Sequence, residues 1–185
     1  ESFGRSVASA GDVNCDGYSD VVVGAYAYTT NRGRAYIFFG KPAGISGSSA
    51  NVVLENPTAA NSEEFGYSVA GAGDVNGDGY SDVVVGADGY TTNRGRAYIF
   101  FGASSMTSPD STADVVLENP TATNGEYFGA SVASAGDVNG DGYSDVVVGA
   151  YVYTSGRGRA YIFFGASSMT SPDSTANVVL ENPTA

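Results

Sequence analysis

The 185-residue chain has no histidine, no tryptophan, a single cysteine and only eight Lys plus Arg. Each shortage removes a class of chemistry. Without histidine there is no Ser-His-Asp triad, no Cys-His pair and no His-ligated zinc. Cys15 has no second cysteine with which to form an internal disulfide, and it stands where two otherwise equivalent stretches carry Gly77 and Gly140. No apolar run is long enough to cross a membrane as a helix, and no N-terminal signal pattern is visible. Twenty acidic residues give a net charge of −12, which argues against nucleic-acid binding. Each Asn-Pro-Thr, from Asn56, Asn119 and Asn182, has proline where a glycosylation sequon forbids it.

What the chain has in abundance is repetition. Nine residues occur three times, as DVNCDGYSD at 12–20 and DVNGDGYSD at 74–82 and 137–145. Each copy places oxygen side chains at its first, third, fifth and ninth positions. These are Asp12, Asn14, Asp16 and Asp20, then Asp74, Asn76, Asp78 and Asp82, then Asp137, Asn139, Asp141 and Asp145. A hard cation such as calcium takes six to eight oxygens at about 2.3–2.6 Å. The sixth-position glycine supplies the tight turn such a loop needs, and Tyr18, Tyr80 and Tyr143 at the seventh can offer backbone carbonyls. The loop is no EF-hand, because the twelfth positions are Val23, Val85 and Val148 rather than Glu, and VVVGA follows where a helix should. An Asp-rich solvated turn is the alternative for any one copy. Three matched copies point to three Ca²⁺ ions, one per repeat, which would halve the net charge.

The first loop positions are spaced by 62 and 63 residues, and every unit runs through the same four apolar segments, FGxSVAxA, SDVVVGA, GRAYIFFG and AxVVLE. All four are short, rich in Val, Tyr, Phe and Ile, and bounded by turn formers, so all read as strands. The runs VVV and IFF predict strands buried on both faces. Four strands joined by short turns make an antiparallel meander, and sheets with two apolar faces must stack. The predicted fold is all-β: three four-stranded antiparallel blades over 1–62, 63–125 and 126–185, a partial or oligomer-completed β-propeller with a calcium loop between the first and second strands of each blade. A β-sandwich is the alternative.

The pattern F-G-x-S-V-A-x-A-G-D-V-N-x-D-G-Y-S-D-V-V-V-G-A resembles the FG-GAP repeat of integrin α-subunit propellers and their bacterial relatives, across all three units. The match departs from the family's Gly-Ala-Pro, since this chain has Gly24-Ala25-Tyr26, Gly86-Ala87-Asp88 and Gly149-Ala150-Tyr151. The resemblance implies a calcium ion in the first hairpin of each blade and partner binding away from those hairpins. On the opposite face the alternation of turns places the segments at 27–34, 89–96 and 152–159. Their Tyr28, Arg32, Tyr90, Arg94, Tyr153 and Arg157 are candidate ligand-binding residues. The competing expectation is that Arg34, Arg96 and Arg159 pair with carboxylates between blades and that the tyrosines pack at blade edges.

Three blades are too few to close a ring, which predicts association with other copies of the chain or with further blades of a longer array. The expected function is that of a calcium-stabilised, extracellular or cell-surface module for protein or glycan binding in adhesion, without catalysis. A structural repeat that stacks into a ring or filament is the alternative, and an accessory domain of a secreted hydrolase or lyase comes after it. No loop joins a nucleophile to a base, and the paired carboxylates Glu63-Glu64 read as a solvated turn.

Overall fold

The structure, a computed structural model, describes residues 1–45, 47 and 49–183; positions 184 and 185, which end the last predicted blade, lie outside the described residues. The first sheet comprises β1 (Ser6–Gly11), β2 (Asp20–Gly24), β3 (Arg34–Phe38) and β4 (Val52–Glu55). The second comprises β5 (Ser68–Gly73), β6 (Asp82–Ala87), β7 (Arg96–Phe100) and β8 (Val115–Glu118). The third comprises β9 (Phe128–Gly136), β10 (Asp145–Ala150), β11 (Arg159–Phe163) and β12 (Val178–Glu181). Within each sheet the strands lie side by side in chain order, the meander expected of a propeller blade.

The register explains why the valine runs carry no polar face. Side chains alternate along a strand, so Val83 and Val85 of β6 point into the cluster shared with the first blade while Val84 points into the cluster shared with the third. Every residue of β6 is buried. From the first blade, the cross-strand row Val22, Ile37 and Val52 meets the row Val69, Val85 and Tyr98 of the second. The first strands β1, β5 and β9 are the strands that approach one another most closely between sheets.

The segment between the second and third strands forms a four-residue helical turn rather than a plain turn: α1 (Tyr28–Asn31), α2 (Tyr90–Asn93) and α3 (Tyr153–Gly156). Thr29 and Thr30 inside α1 have φ of 42° and 55°, so the turn is not a regular helix. The link to the next blade crosses this turn. Ser62, Glu64 and Phe65 donate their N–H groups to the carbonyls of Thr30, Asn31 and Arg32. The second turns and the links therefore share a face, as the alternation of turns requires.

Two further ties between blades were not expected. The loop after the third strand of the second blade reaches back to the first, where Asp110 N–H donates to Val53 O and Glu55 N–H to Asp110 O. Asp173 repeats this on the second blade. The carboxylate of Glu63 accepts from Asn56 Nδ2 and from Thr58 Oγ1, and Glu126 does the same with Asn119 and Thr121. Glu63 is 7 % exposed, so it is a buried pin for the link and not part of a solvated turn.

Candidate functional site

The three Asp-rich loops sit between the first and second strands of their blades, where the spacing placed them. In the first, Asp12 accepts from the N–H groups of Asp16 (Oδ1, 3.0 Å) and Gly17 (Oδ2, 2.8 Å). Asn14 Oδ1 accepts from Asp16 N–H at 3.1 Å, and Asp16 Oδ1 from Tyr18 N–H at 3.0 Å. The second and third loops repeat these bonds on Asp74, Asn76 and Asp78, and on Asp137, Asn139 and Asp141. Gly17, Gly79 and Gly142 take φ of 90°, 91° and 93°, a backbone that only glycine adopts without strain. The amide donors of Gly142 and its neighbours hold the Asp137 carboxyl below the usual carboxylate range.

The ninth-position aspartates differ from the rest. Asp20, Asp82 and Asp145 open β2, β6 and β10 and are buried. Asp20 Oδ2 accepts from Val13 N–H and Oδ1 from Gly40 N–H, both at 2.8 Å, which ties the start of the loop to the end of the third strand. Asp82 and Asp145 make the equivalent bonds. Burial pushes Asp82 up to about 7 against the pull of the amide donors of Gly102 and Val75. Asp20 is raised for the same reason.

The donor set fits a hard cation. The first, third, fifth and ninth side chains all carry oxygen acceptors, and each carboxylate oxygen that accepts one N–H keeps a second lone pair; the asparagine amides donate to the fifth-position carboxylates. Among the described residues no three His, Cys, Asp or Glu side chains are gathered closely enough to hold a metal by themselves.

One residue of the site escaped the sequence reading. Ser81, at the eighth position of the second loop, donates its N–H to Asp12 O at 3.1 Å and accepts from Asp12 N–H through Oγ at 3.3 Å. Ser144 donates its N–H to Asp74 O at 2.9 Å. The loops are thus joined in series across the blades. The repetition of serine at 19, 81 and 144 was the available signal.

On the opposite face most of the candidate ligand residues are engaged internally. The guanidinium of Arg34 stacks 3.8 Å from the Tyr28 ring, Arg96 lies 3.7 Å from Tyr90, and Arg159 lies 3.6 Å from Tyr153. Arg32 lies 3.9 Å from Glu55 and Arg94 3.6 Å from Glu118. Arg34, Arg96 and Arg159 pair with Glu55, Glu118 and Glu181 across the third and fourth strands of their own blades, and not between blades as the sequence suggested. Arg157 is exposed and lines an open cavity of about 680 Å³ with Arg5, Tyr67 and Tyr151.

Asp88 stands beside that face where the other blades carry Tyr26 and Tyr151. It is 3 % exposed, and its Oδ1 has no hydrogen-bond partner. Burial and then the Glu64 charge push it up to about 7, with Arg5 opposing and Tyr151 nearby. A folded-state value above the unfolded one of 3.8 means that protonated Asp88 favours folding. That contribution is complete below about pH 4 and is lost as pH rises through about 7. A shift of this size corresponds to at most about 4 kcal/mol. Asp88→Asn is therefore expected to melt up to about 10 °C above the wild type at pH near 8, and level with it at pH near 4. Thermal scans at fixed calcium check this, and an equal gain at both pH values would contradict it.

Comparison with known proteins adds a direct finding. The family model described as FG-GAP repeat matches residues 3–38, 65–100 and 128–163. Integrin alpha-IIb of Mus musculus is 39 % identical over 158 residues, which cover 80 % of this chain and 15 % of that protein. Integrin alpha-2 of Bos taurus is 34 % identical over 81 % of this chain and 13 % of its own length. Integrin alpha-6 of Gallus gallus is 33 % identical over 93 % of this chain and 16 % of its own length. The chain thus spans about one sixth or less of the length of these curated relatives.

Proposed function

From the premise that this chain belongs to the FG-GAP repeat family, we propose that it is a calcium-stabilised, non-catalytic β-propeller module that binds a protein or glycan at a cell surface or outside the cell. The observation that carries the reading is the loop itself. Four side-chain oxygen donors and one backbone carbonyl recur at one place in each of three blades, around a glycine turn in which Asp12 and Asn14 both accept from Asp16 N–H and Asp16 accepts from Tyr18 N–H. The residues that would hold the ions are Asp12, Asn14, Asp16, Tyr18 and Asp20 in the first blade, with their counterparts in the second and third. Calcium would supply charge neutralisation. It would draw together three carboxylates that repel across a tight turn and fix the register of the first two strands of each blade. Since no such site exists in the unfolded chain, binding free energy becomes folding free energy.

The recognition surface in this reading is the face of the helical turns and the inter-blade links. Exposed Arg157, with Arg5, Tyr67 and Tyr151, offers cationic and aromatic groups there, the residue types that dominate binding hot spots. The stacked Tyr–Arg pairs hold the second turns in shape beneath it. A screen of glycans and matrix proteins, run with calcium and with EDTA, tests the proposal. Calcium-dependent retention that weakens about tenfold in Arg157→Ala supports it. Retention indifferent to both changes, or none at all, contradicts it.

A further inference from the structure

Asparagine followed by glycine is the pair most prone to lose its side-chain amide, because glycine has no Cβ to keep its main-chain nitrogen away from the asparagine Cγ. The chain holds three such pairs, Asn76-Gly77, Asn124-Gly125 and Asn139-Gly140. The equivalent asparagines of the first unit lack the glycine: Cys15 follows Asn14 in the Asp-rich loop, and Ser62 follows Asn61 in the link.

The two pairs in the Asp-rich loops are tied at every atom the reaction needs. Asn76 Oδ1 accepts from Asp78 N–H at 3.0 Å, and Asn76 Nδ2 donates to Asp78 Oδ2 at 2.8 Å. The Gly77 N–H donates to Asp74 Oδ1 at 2.7 Å. Asn139 and Gly140 repeat these bonds with Asp141 and Asp137, at 2.9, 2.7 and 2.7 Å. A carboxylate acceptor makes a charge-assisted bond that holds the proton on the glycine nitrogen, and turning the amide towards that nitrogen breaks two bonds more. The link between the second and third blades differs at each point. Asn124 is exposed, and among the described residues its side chain is held by no hydrogen bond. The Gly125 N–H donates to a neutral acceptor, the Thr92 carbonyl, at 3.2 Å. Gly125 takes φ of 79°, with open space where a Cβ would stand.

We propose that Asn124-Gly125 is a self-modifying site, which converts to aspartyl and isoaspartyl forms in the folded protein while the two loop pairs stay intact. The Gly125 nitrogen gives its proton to solvent base and attacks Asn124 Cγ. A new C–N bond closes a succinimide ring, and the side-chain nitrogen leaves as ammonia with a proton taken from water. Water then opens the ring. Cleavage between the Gly125 nitrogen and Cγ leaves aspartate. Cleavage between that nitrogen and the main-chain carbonyl carbon leaves the chain running through the side chain, an isoaspartyl link. Water is the only co-reactant, nothing is oxidised, and the step depends neither on bound calcium nor on a ligand. Either product puts a new carboxylate on the face of the helical turns. The isoaspartyl form also adds a methylene to the main chain directly before the N–H that ties the link to Thr92.

Peptide mapping by mass spectrometry tests this, on samples drawn over time at physiological temperature in mildly alkaline buffer with calcium. In the folded chain the peptide holding Asn124 should gain the mass difference between amide and acid at least about tenfold faster than those holding Asn76 and Asn139, the rate cost of the bonds that must break in the loops. In urea with EDTA the three pairs should react at comparable rates. Enzymatic methylation of isoaspartyl groups should label the aged, folded wild type and be lost in Asn124→Gln, which should melt with the wild type because the side chain is exposed and unbonded. A loop pair that reacts as fast as Asn124 in the folded chain would overturn the proposal. So would an Asn124 that keeps its amide throughout. A preference that persists unchanged in urea would trace the difference to local sequence and overturn it as well.

Discussion

Stripping calcium with EDTA should lower the melting temperature of this chain by on the order of 20 °C. A ligand present at a hundred times its dissociation constant stabilises the state it binds by about 2.7 kcal/mol, so three loops together contribute about 8 kcal/mol. For a chain of this size each kcal/mol moves the melting temperature by about 2–4 °C. The loops supply the reason for so large a dependence. Asp12, Asp16 and Asp20 lie within nine residues, and Asp20 and Asp82 are raised first by burial and then by the charges of their own loop partners. On the calcium reading those charges would oppose the hairpin without an ion and hold it with one. The effect should extend beyond the hairpin because Ser81 and Ser144 join successive loops. Asp78→Asn should remove one ion of the three from a calorimetric titration and about a third of the calcium-dependent stabilisation. Superimposable melts with and without EDTA near neutral pH would remove the calcium reading.

The strands were legible because blades bury both faces. A run such as Val83-Val84-Val85 has no amphipathic alternative, and the register divides its side chains between two interfaces. The loops were legible as tight turns between the first two strands because Asp, Asn and Gly recur there at fixed spacing. What escaped was whatever depends on a meeting between blades. Nothing local marks Asp110 as the partner of the fourth strand of the preceding blade, or Ser81 as the tie to Asp12, since each contact spans 55 to 69 residues. Glu63 read as solvated for a related reason: its partners Asn56 and Thr58 are near in sequence, but Asn56 is itself fixed by donating to the Arg32 carbonyl 24 residues away. The tyrosines and arginines of the second turns were ambiguous by nature. The same residue types serve recognition and cation–π packing, and only the 3.6–3.8 Å stacking distances separate the two uses.

Phe65→Ala or Phe128→Ala should cost about 3–5 kcal/mol, roughly 10–15 °C in melting temperature, whereas Phe3→Ala should cost less than half as much in the dilute single chain. The three side chains make nearly the same contacts within their own blades. Phe3 lies 5.6 Å from Tyr36 and 6.2 Å from Phe38, Phe65 lies 5.6 Å from Tyr98 and 6.0 Å from Phe100, and Phe128 lies 5.7 Å from Tyr161 and 6.0 Å from Phe163. The difference is the blade in front. Phe65 and Phe128 are sealed by Gly33 and Gly95 and by a neighbouring valine face, while more than half of Phe3 meets water. Removing a buried ring leaves a cavity that packed sheets close only in part; removing an exposed one leaves almost none. Stability in such an array is carried by nearest-neighbour interfaces more than by the single blade. Thermal and urea unfolding of the three variants at one low concentration provides the comparison. Equal losses would mean that the aromatic contacts inside a blade, and not the stacking of blades, set the stability.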